Sequence, residues 1–443
     1  MASDPGDRFA APVAVVGDQE LVENMADDAV VTTSAPDLIA DSLGEYTRIW
    51  LRRVRSGESG VLPVVLGLIA IVIYFQIRDS RFLSALNLGN LITQAAFIVT
   101  FGMAEVFVLL LGEIDLSVGY NGACGAVITL WMLSGAHPFP WWLAVVCGLA
   151  FSGAYSGIEG VLITWLRLPS FVVTLAGYLG GLGLLLALID LAAPGSGGTI
   201  RLTNNVLNDI EGGAMSPAAG WIAMIAAVVL AGAFMVTRDA RRRTNKLAAP
   251  PIPVTVLKVA AMALAGVVVV LIGNLNRGVG FGVVRGVPWV VPVILALLIA
   301  WTALLNRTRF GRYVYAIGGS AEAARRAGIN LSRIRIMAFV LCGVTAGISG
   351  IVWSSQLSGI SSNFNGGQYV LLGVAAAVIG GTSLFGGRGR MIGAVLGGLV
   401  VAVIYNGLQL LGFTAPAQDM WTAVVLLAAV TVDALARRGG SPT

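Results

Sequence analysis

The sequence predicts an all-α integral membrane protein, a polytopic helical bundle of about ten core transmembrane helices plus an inserted pair, with both termini cytoplasmic. Three observations carry this. The chain of 443 residues is 57% hydrophobic and only 12% charged, with a mean hydropathy of +0.85; a soluble domain is about a quarter charged. Apolar stretches recur at close to the ~20 residues that cross a bilayer as a helix. The basic residues sit between those stretches and segregate by side.

Residues 1–45 are polar and acid-rich and lack helical apolar periodicity, and residues 1–57 are expected to form a largely disordered cytoplasmic tail. No cleavable signal peptide is expected there. The transmembrane domain then runs over 58–437, and 438–443 form a short cytoplasmic tail. Hydropathy places spans at 60–77, 95–112, 118–135, 141–165, 170–192, 218–236, 254–274, 287–306, 335–354, 369–386, 391–413 and 419–436. Several are near the short limit, which leaves room for a half-spanning or broken helix. With a cytoplasmic N-terminus, 23 of the 28 Lys and Arg residues fall inside and five outside (Arg78, Arg81, Arg201, Arg277, Arg285). Adding or removing one span scrambles that segregation, so the count is even. The loop 193–217 lies outside. Residues 237–253 form a basic cytoplasmic loop, 254–306 an inserted helix pair, and 307–334 a cytoplasmic segment.

Two stretches stand out against the apolar background. The first is LLGEIDLSVGYNG, residues 110–122, which sets Glu113 and Asp115 between two apolar runs among Gly112, Gly119 and Gly122. Asp115 or Ser117 suits the cap of the following helix. Two readings stay open: a tight cytoplasmic turn, or a broken helix whose polar side chains line a solute path. A related stretch, IGGTSLFGGRGRMIGAV at 379–395, matches it when Gly112 is set on Gly380, hinting at two related halves. Within the spans, Glu105, Glu159 and Asp190 are costly in lipid and are expected to face a cavity or a partner.

The second stretch is GGSAEAARRAGINLSRI, residues 318–334. Ser320 suits a helix N-cap, Glu322 the first turn, Arg325 and Arg326 the last turn, and Gly328 the left-handed position beyond it. A helix this short is marginal alone and needs something to dock against. A solvated connector is the plainer reading.

Other chemistries are argued against. The two lysines, Lys246 and Lys258, lie in no GxxxxGK[ST] loop, so this chain has no phosphate-cradling P-loop and no ATPase site of that kind. No nucleophile–base constellation suggests an enzyme, no cofactor is expected, and no metal constellation is visible. The lone His137 lies in a loop. Cys124, Cys147 and Cys342 fall in apolar segments and read as packing residues. The net charge of +5 reflects membrane orientation and gives no reason to expect a nucleic-acid partner.

Together these stretches resemble the permease subunit of bacterial ABC sugar importers, the ribose, galactose and xylose permease family. The family's GGIDLSVG-like signature appears as residues 112–119, and its IPSFIVTLG-like segment as Leu168 to Gly177. RTRFGRYVYAIGGSAEAARRAGI, residues 307–329, and VIGGTSLFGGRG, residues 378–389, match two further segments in the family's order. The resemblance covers roughly 85–435, and the apolar pair before RTRFGR is most like the xylose branch. Glu113 departs from a usual glycine, and Glu159 from a usual asparagine. Val370 and Leu372 stand where acidic residues are common, which puts the usual sugar in doubt.

The resemblance implies a permease subunit of an ATP-driven, binding-protein-dependent importer of a monosaccharide, xylose or a similar sugar, in the bacterial plasma (inner) membrane. Its expected partners are cytoplasmic ATP-binding subunits, an extracytoplasmic sugar-binding protein, a second permease copy and membrane lipid. Ser320, Glu322, Ala323, Ala324, Arg325, Arg326 and Gly328 become a coupling helix for the ATPase, with Arg333 and Arg335 snorkelling at the inner boundary. Candidate path residues are Glu105, Glu113, Asp115, Ser117, Asn121, Glu159 and Thr174. The signature glycines are Gly112, Gly119, Gly380, Gly381, Gly386 and Gly387. The alternatives are an ion-coupled secondary transporter of a small polar solute, with Glu105 or Glu159 carrying a proton, and a membrane scaffold whose polar helix recruits a soluble protein.

Overall fold

The computed structural model describes residues 62–135, 138–245, 249–278 and 283–438. The expected tail 1–57, His137, Lys246 and residues 439–443 of the expected C-terminal tail lie outside the described residues. Every predicted span contains a helix. In chain order these are α1 (Leu62–Arg78), α2 (Ala85–Leu109), α3 (Val118–Leu133), α4 (Trp141–Trp165) and α5 (Ser170–Ala192). A short strand β1 (Thr199–Arg201) and helix α6 (Asn205–Gly212) precede α7 (Pro217–Thr244), α8 (Ile252–Asn274) and α9 (Val290–Arg307). Two short helices follow, α10 (Arg309–Gly319) and α11 (Ala321–Arg326), then α12 (Leu331–Gln356) and strand β2 (Gly359–Ser361). The chain ends with α13 (Gly366–Ile379), α14 (Met391–Leu410) and α15 (Ala415–Arg438). Among the described residues, eight helices are long and apolar enough to cross a membrane, and α1, α3 and α13 are shorter apolar helices.

The centre is α2, whose most apolar window is 78% buried. It packs against α12, α13 and α14, while α12 also packs on α3 and α4. Phe101, Phe107, Met103 and Phe339 are fully buried there. Lipid tails are as apolar as leucine, so close packing rather than the hydrophobic effect holds such helices together. α2 begins ten residues before the predicted span because its polar first turns are paired across α14. Asn87 Nδ2 donates to Asn406 Oδ1 at 2.8 Å, and Asn406 Nδ2 donates to Gln94 Oε1 at 3.1 Å.

The two helices expected to form an insert, 254–306, meet at one end through Val270, Val287 and Val291 but otherwise pack on different neighbours. α8 pairs with α7, joined near one end by Thr255 Oγ1, which donates to Asp239 Oδ2 at 2.7 Å. α9 instead lies on α2 and α14, with Val290 and Leu305 in the main core. Hydropathy scores a lipid-facing and a core-facing apolar helix alike, so it could not separate them.

The ends of α12, ~39 Å apart at 1.5 Å per residue, mark two faces. At its C-terminal end β2 pairs antiparallel with β1, Ile360 opposite Ile200. At its N-terminal end, the Gly387 N–H donates to the Leu110 carbonyl at 2.9 Å and Tyr315 Oη to the Gly389 carbonyl at 2.9 Å. Each contact joins loops that the charge pattern puts on one side.

α2 and α13 end in the same cap. Gly112 (φ 77°) and Gly381 (φ 88°) take the left-handed conformation that glycine adopts without strain. Glu113 N–H then donates back to Val108 O at 3.1 Å, and Thr382 N–H to Ala377 O at 2.9 Å. The structural equivalence is therefore Gly112 with Gly381, one residue off the Gly112–Gly380 match in the sequence. It does not extend further, because α3 starts six residues after its glycine and α14 ten.

On the face that carries β1, α6 presents Glu211, 7% exposed, with no hydrogen-bond partner for either carboxylate oxygen. Burial pushes its carboxyl up to about 9. The folded state therefore holds a proton that the unfolded chain has lost. That stability is fully present below the ordinary carboxyl range and is lost as pH rises towards about 9. Thermal melts in lipid nanodiscs are expected to show Glu211→Gln more stable than the parent above neutral pH and equal to it near pH 4. Parallel melting curves across that range would refute this.

Candidate functional site

The polar centre lies where the chain breaks between α2 and α3. Residues 110–117 leave the buried end of α2, reach the surface at Gly112, then turn back into the bundle until Asp115 and Ser117 are fully buried. Neither residue caps α3 in the expected way: Ser117 occupies the N-cap position without a side-chain cap bond. Their side chains are committed to each other instead. Asp115 Oδ1 accepts from the Ser117 N–H at 2.9 Å and from Ser117 Oγ at 2.7 Å.

α4 supplies the opposing wall. Ser152, Ser156 and Glu159 recur at helical spacing on one face. Ser156 Oγ donates to Asp115 Oδ2 at 3.2 Å, and Ser117 Oγ reaches Glu159 Oε2 at 2.9 Å. One turn into α3, Asn121 Nδ2 donates to the Ser152 carbonyl at 3.0 Å and to Ser156 Oγ at 2.9 Å. From α5, Thr174 Oγ1 donates to the Ile114 carbonyl at 3.3 Å and to that of Ser170 at 3.0 Å. The structure thus gathers Asp115, Ser117, Asn121, Glu159 and Thr174 around the break. The stretch is more than a solvated turn: beyond the cap at Gly112, Asp115 and Ser117 point inward and bond their neighbours, while Asn121 Oδ1 and Glu159 Oε1 are left without hydrogen-bond partners.

The other acidic candidates sit apart from this cluster or at its edge. Glu105, near the end of α2, is fully buried and neither of its carboxylate oxygens has a hydrogen-bond partner. The Asp115 N–H points towards it without reaching bonding geometry. Glu113 turns the other way and pairs with Arg335 of α12 at 2.9 Å. The Arg335 Nε–H is not aimed along that line, so the contact is an ion pair rather than a hydrogen bond. Arg335, expected at the inner boundary, is thus engaged by a carboxylate while its side chain stays 26% exposed. Asp190 is exposed two residues from the end of α5, with no hydrogen-bond or ion-pair partner among the described residues. A groove of about 480 Å³ between α4 and α12, lined by residues such as Gly153, Gly157, Val340 and Val344, is apolar and offers nothing to a hydroxylated solute.

The polar helix has the local structure the sequence predicts. Ser320 Oγ accepts from the Ala323 N–H at 3.2 Å, and Glu322 pairs with Arg326 at 3.2 Å and Arg325 at 3.5 Å. Gly328 ends it at φ 78°. Ala324 is buried, whereas Glu322, Arg325 and Arg326 are exposed. The segment preceding α11 was noted in the sequence only as part of the 307–329 match, without a contact assigned to it. Gly318, at the end of α10, packs its backbone against the Leu110 carbonyl and Gly387, so α10 touches both motif loops at once. Gly386 and Gly387 lie in the second loop, Gly380 and Gly381 end α13, and Gly119 abuts the start of α13 at Gly366. The run of glycines at 318–319 beside GGRG was the available signal for this junction, but a contact between segments seventy residues apart has no periodicity to betray it. Ser152 and Ser156 were missed because small hydroxyls are ordinary in packed membrane helices.

The family described as "Branched-chain amino acid transport system / permease component" matches residues 87–431. The xylose transport system permease protein XylH of Escherichia coli (strain K12) is 33% identical over 384 residues, covering 85% of this chain and 92% of that protein. XylH of Haemophilus influenzae is 31% identical over 387 residues, covering 86% and 98%. The ribose import permease protein RbsC of Bacillus subtilis is 30% identical over 375 residues, covering 83% and 91%. No solved structure matches.

Proposed function

We propose a function from the premise that this chain belongs to the branched-chain amino acid transport system / permease component family: it is the membrane-spanning permease subunit of an importer that moves a sugar across the bacterial inner membrane. The single observation that carries the sugar reading is the match to xylose and ribose permeases over more than four-fifths of the chain. A five-carbon sugar, xylose or one like it, is the proposed substrate. The chain is a transport subunit rather than an enzyme. ATP-binding subunits on the cytoplasmic side and an extracytoplasmic sugar-binding protein are its partners. We propose further that the ATPase is a separate polypeptide and that two permease copies form the pathway.

Energy enters, in this reading, through α11. The helix is too short to stand alone, its exposed charges suit a groove on a soluble partner, and α10 behind it rests on both motif loops. A push on α11 is passed by backbone contact to the break at 110–117 and to the loop at 380–390. The polar residues around the break, with Glu105 and Glu113 nearby, are the proposed path or its gate. A weak path suits an importer whose specificity lies in the binding protein, because tight binding inside the membrane slows release.

The test is reconstitution with the neighbouring ATPase and binding protein in liposomes. Replacing Glu322 and Arg325 together by Ala is expected to cut uptake and binding-protein-stimulated ATP hydrolysis by tenfold or more. The melting temperature is expected to stay put, because exposed pairs contribute at most about 1 kcal/mol. Unchanged stimulation would count against the lever. Uptake that follows a proton gradient without ATP would favour the ion-coupled alternative.

A further inference from the structure

Ser117 stands between two carboxylates with one hydrogen to give. Its Oγ is 2.7 Å from Asp115 Oδ1 and 2.9 Å from Glu159 Oε2. A hydroxyl has one donor and two acceptor lone pairs, so both carboxylates cannot accept from it. One of them must bring its own proton and donate to Oγ.

The surrounding bonds decide which. The Ser152 carbonyl can only accept, so Asn121 must turn its NH₂ group towards it at 3.0 Å. That NH₂ also donates to Ser156 Oγ at 2.9 Å, which leaves the Ser156 hydrogen for Asp115 Oδ2 at 3.2 Å. Asp115 further accepts the Ser117 N–H at 2.9 Å. With Ser117 Oγ, three hydrogens point at Asp115, which is the arrangement of an ionised carboxylate. Glu159 has no contact of that kind. Its Oε1 makes no hydrogen bond, and the residue is 4% exposed.

We propose that Glu159 is a proton-binding site in the core of the bundle, its carboxylic acid donating to Ser117 Oγ and so pinning the α2–α3 break to α4. The groups around it bring no compensating cation among the described residues. Asp115 faces it from the break, Cys342 from α12 and Tyr155 from its own helix. Glu105 of α2 faces Asp115. α5 presents the Gly177 carbonyl, already taken by Tyr155 Oη at 2.6 Å. Arg335 is paired with Glu113. Losing the proton would place two anions on one hydroxyl and remove a hydrogen bond from a dry site, where an unpaired charge is expensive. The proton is structural, held in place, and is not a coupling ion. The site stands without the transport reading; only the uptake readout below rests on it.

The infrared and melting measurements compare the parent chain with Glu159→Gln in lipid nanodiscs, both in a Glu105→Gln, Glu211→Gln background, so that neither of the other buried, unpartnered carboxyls adds an infrared band or an alkaline effect. Gln offers Ser117 an N–H at every pH. A carboxylic-acid C=O infrared band is expected in the parent at neutral pH, absent from Glu159→Gln and retained in Glu113→Gln. The parent's melting temperature is expected to fall as pH rises above the ordinary carboxyl range, while that of Glu159→Gln stays level. Glu159→Ala, which cannot donate, is expected to lose roughly tenfold in folding equilibrium or more. In the reconstituted complex, uptake should follow the same pH profiles. Identical infrared spectra, an equal alkaline fall in both proteins, or failure of Glu159→Gln to fold would each overturn the proposal. Absence of uptake from the parent at every pH, with the infrared band present, would sink the transport reading and leave the proton site standing.

Discussion

Gly318→Val will abolish energised uptake, lowering it by roughly two orders of magnitude, while the protein remains inserted and folded. A Cβ at this position overlaps the Leu110 carbonyl oxygen and crowds the backbone of Gly387. Both obstacles are main chain, so neither can swing aside as a side chain would. Forcing extra carbon into such a contact costs about 1–3 kcal/mol, and here it can be relieved only by lifting α10 off the two loops. The spans themselves are untouched, since α2, α12, α13 and α14 pack through other residues. The expected signature is loss of both uptake and binding-protein stimulation of the ATPase, with a melting temperature near the parent's. Gly318→Ala should fall between the two. If the valine variant transported at the parent's rate, α10 would not be the element that transmits the push.

Asp115→Ala will cost about 3 kcal/mol of stability, and yield of folded protein will fall with it. The side chain accepts from the Ser117 N–H, Ser117 Oγ and Ser156 Oγ, all buried. Its removal strands donors that no water reaches, and each stranded group costs about 1–3 kcal/mol. Asp115→Asn should cost less, because its amide oxygen still accepts from Ser117 and its NH₂ can donate to Ser156. Thermal melts in nanodiscs separate the three proteins. Combining Asp115→Asn with Glu159→Gln should show a coupling of 0.5–3 kcal/mol, as groups sharing one hydroxyl do. An alanine variant as stable as the parent would mean that the network does not hold the break.

Much of the fold was legible because its signals are local. The spans predicted at 141–165 and 170–192 match α4 and α5 to the residue. Pro140 and Pro169 precede them, and apolar residues dominate both. The span predicted at 369–386 was too long: α13 stops at Ile379, where Gly380 and the left-handed Gly381 turn the chain. The start of α2 was missed for the opposite reason. Asn87 and Gln94 look too polar for a span until Asn406 is seen to satisfy both. At the candidate site, Asp115, Ser117 and Glu159 were named separately from sequence, and Ser320 to Gly328 as a helix. Nothing in the sequence joined Glu113 to Arg335, or Gly318 to Leu110.

The sequence by itself determined that this chain lives in a membrane, how many times it approaches spanning length, how its charges sort by side, and that a capped polar helix interrupts it. These are sums over neighbouring residues: transfer free energy per span, charge per loop, a cap read over eight positions. Only the tertiary structure decided which buried carboxylates share a hydroxyl, which is left alone, and that α9 belongs to the core while α7 and α8 stand outside it. Those outcomes depend on contacts between residues forty to three hundred positions apart. In an apolar solvent every span is greasy on all sides, so composition carries no mark of which face meets protein and which meets lipid.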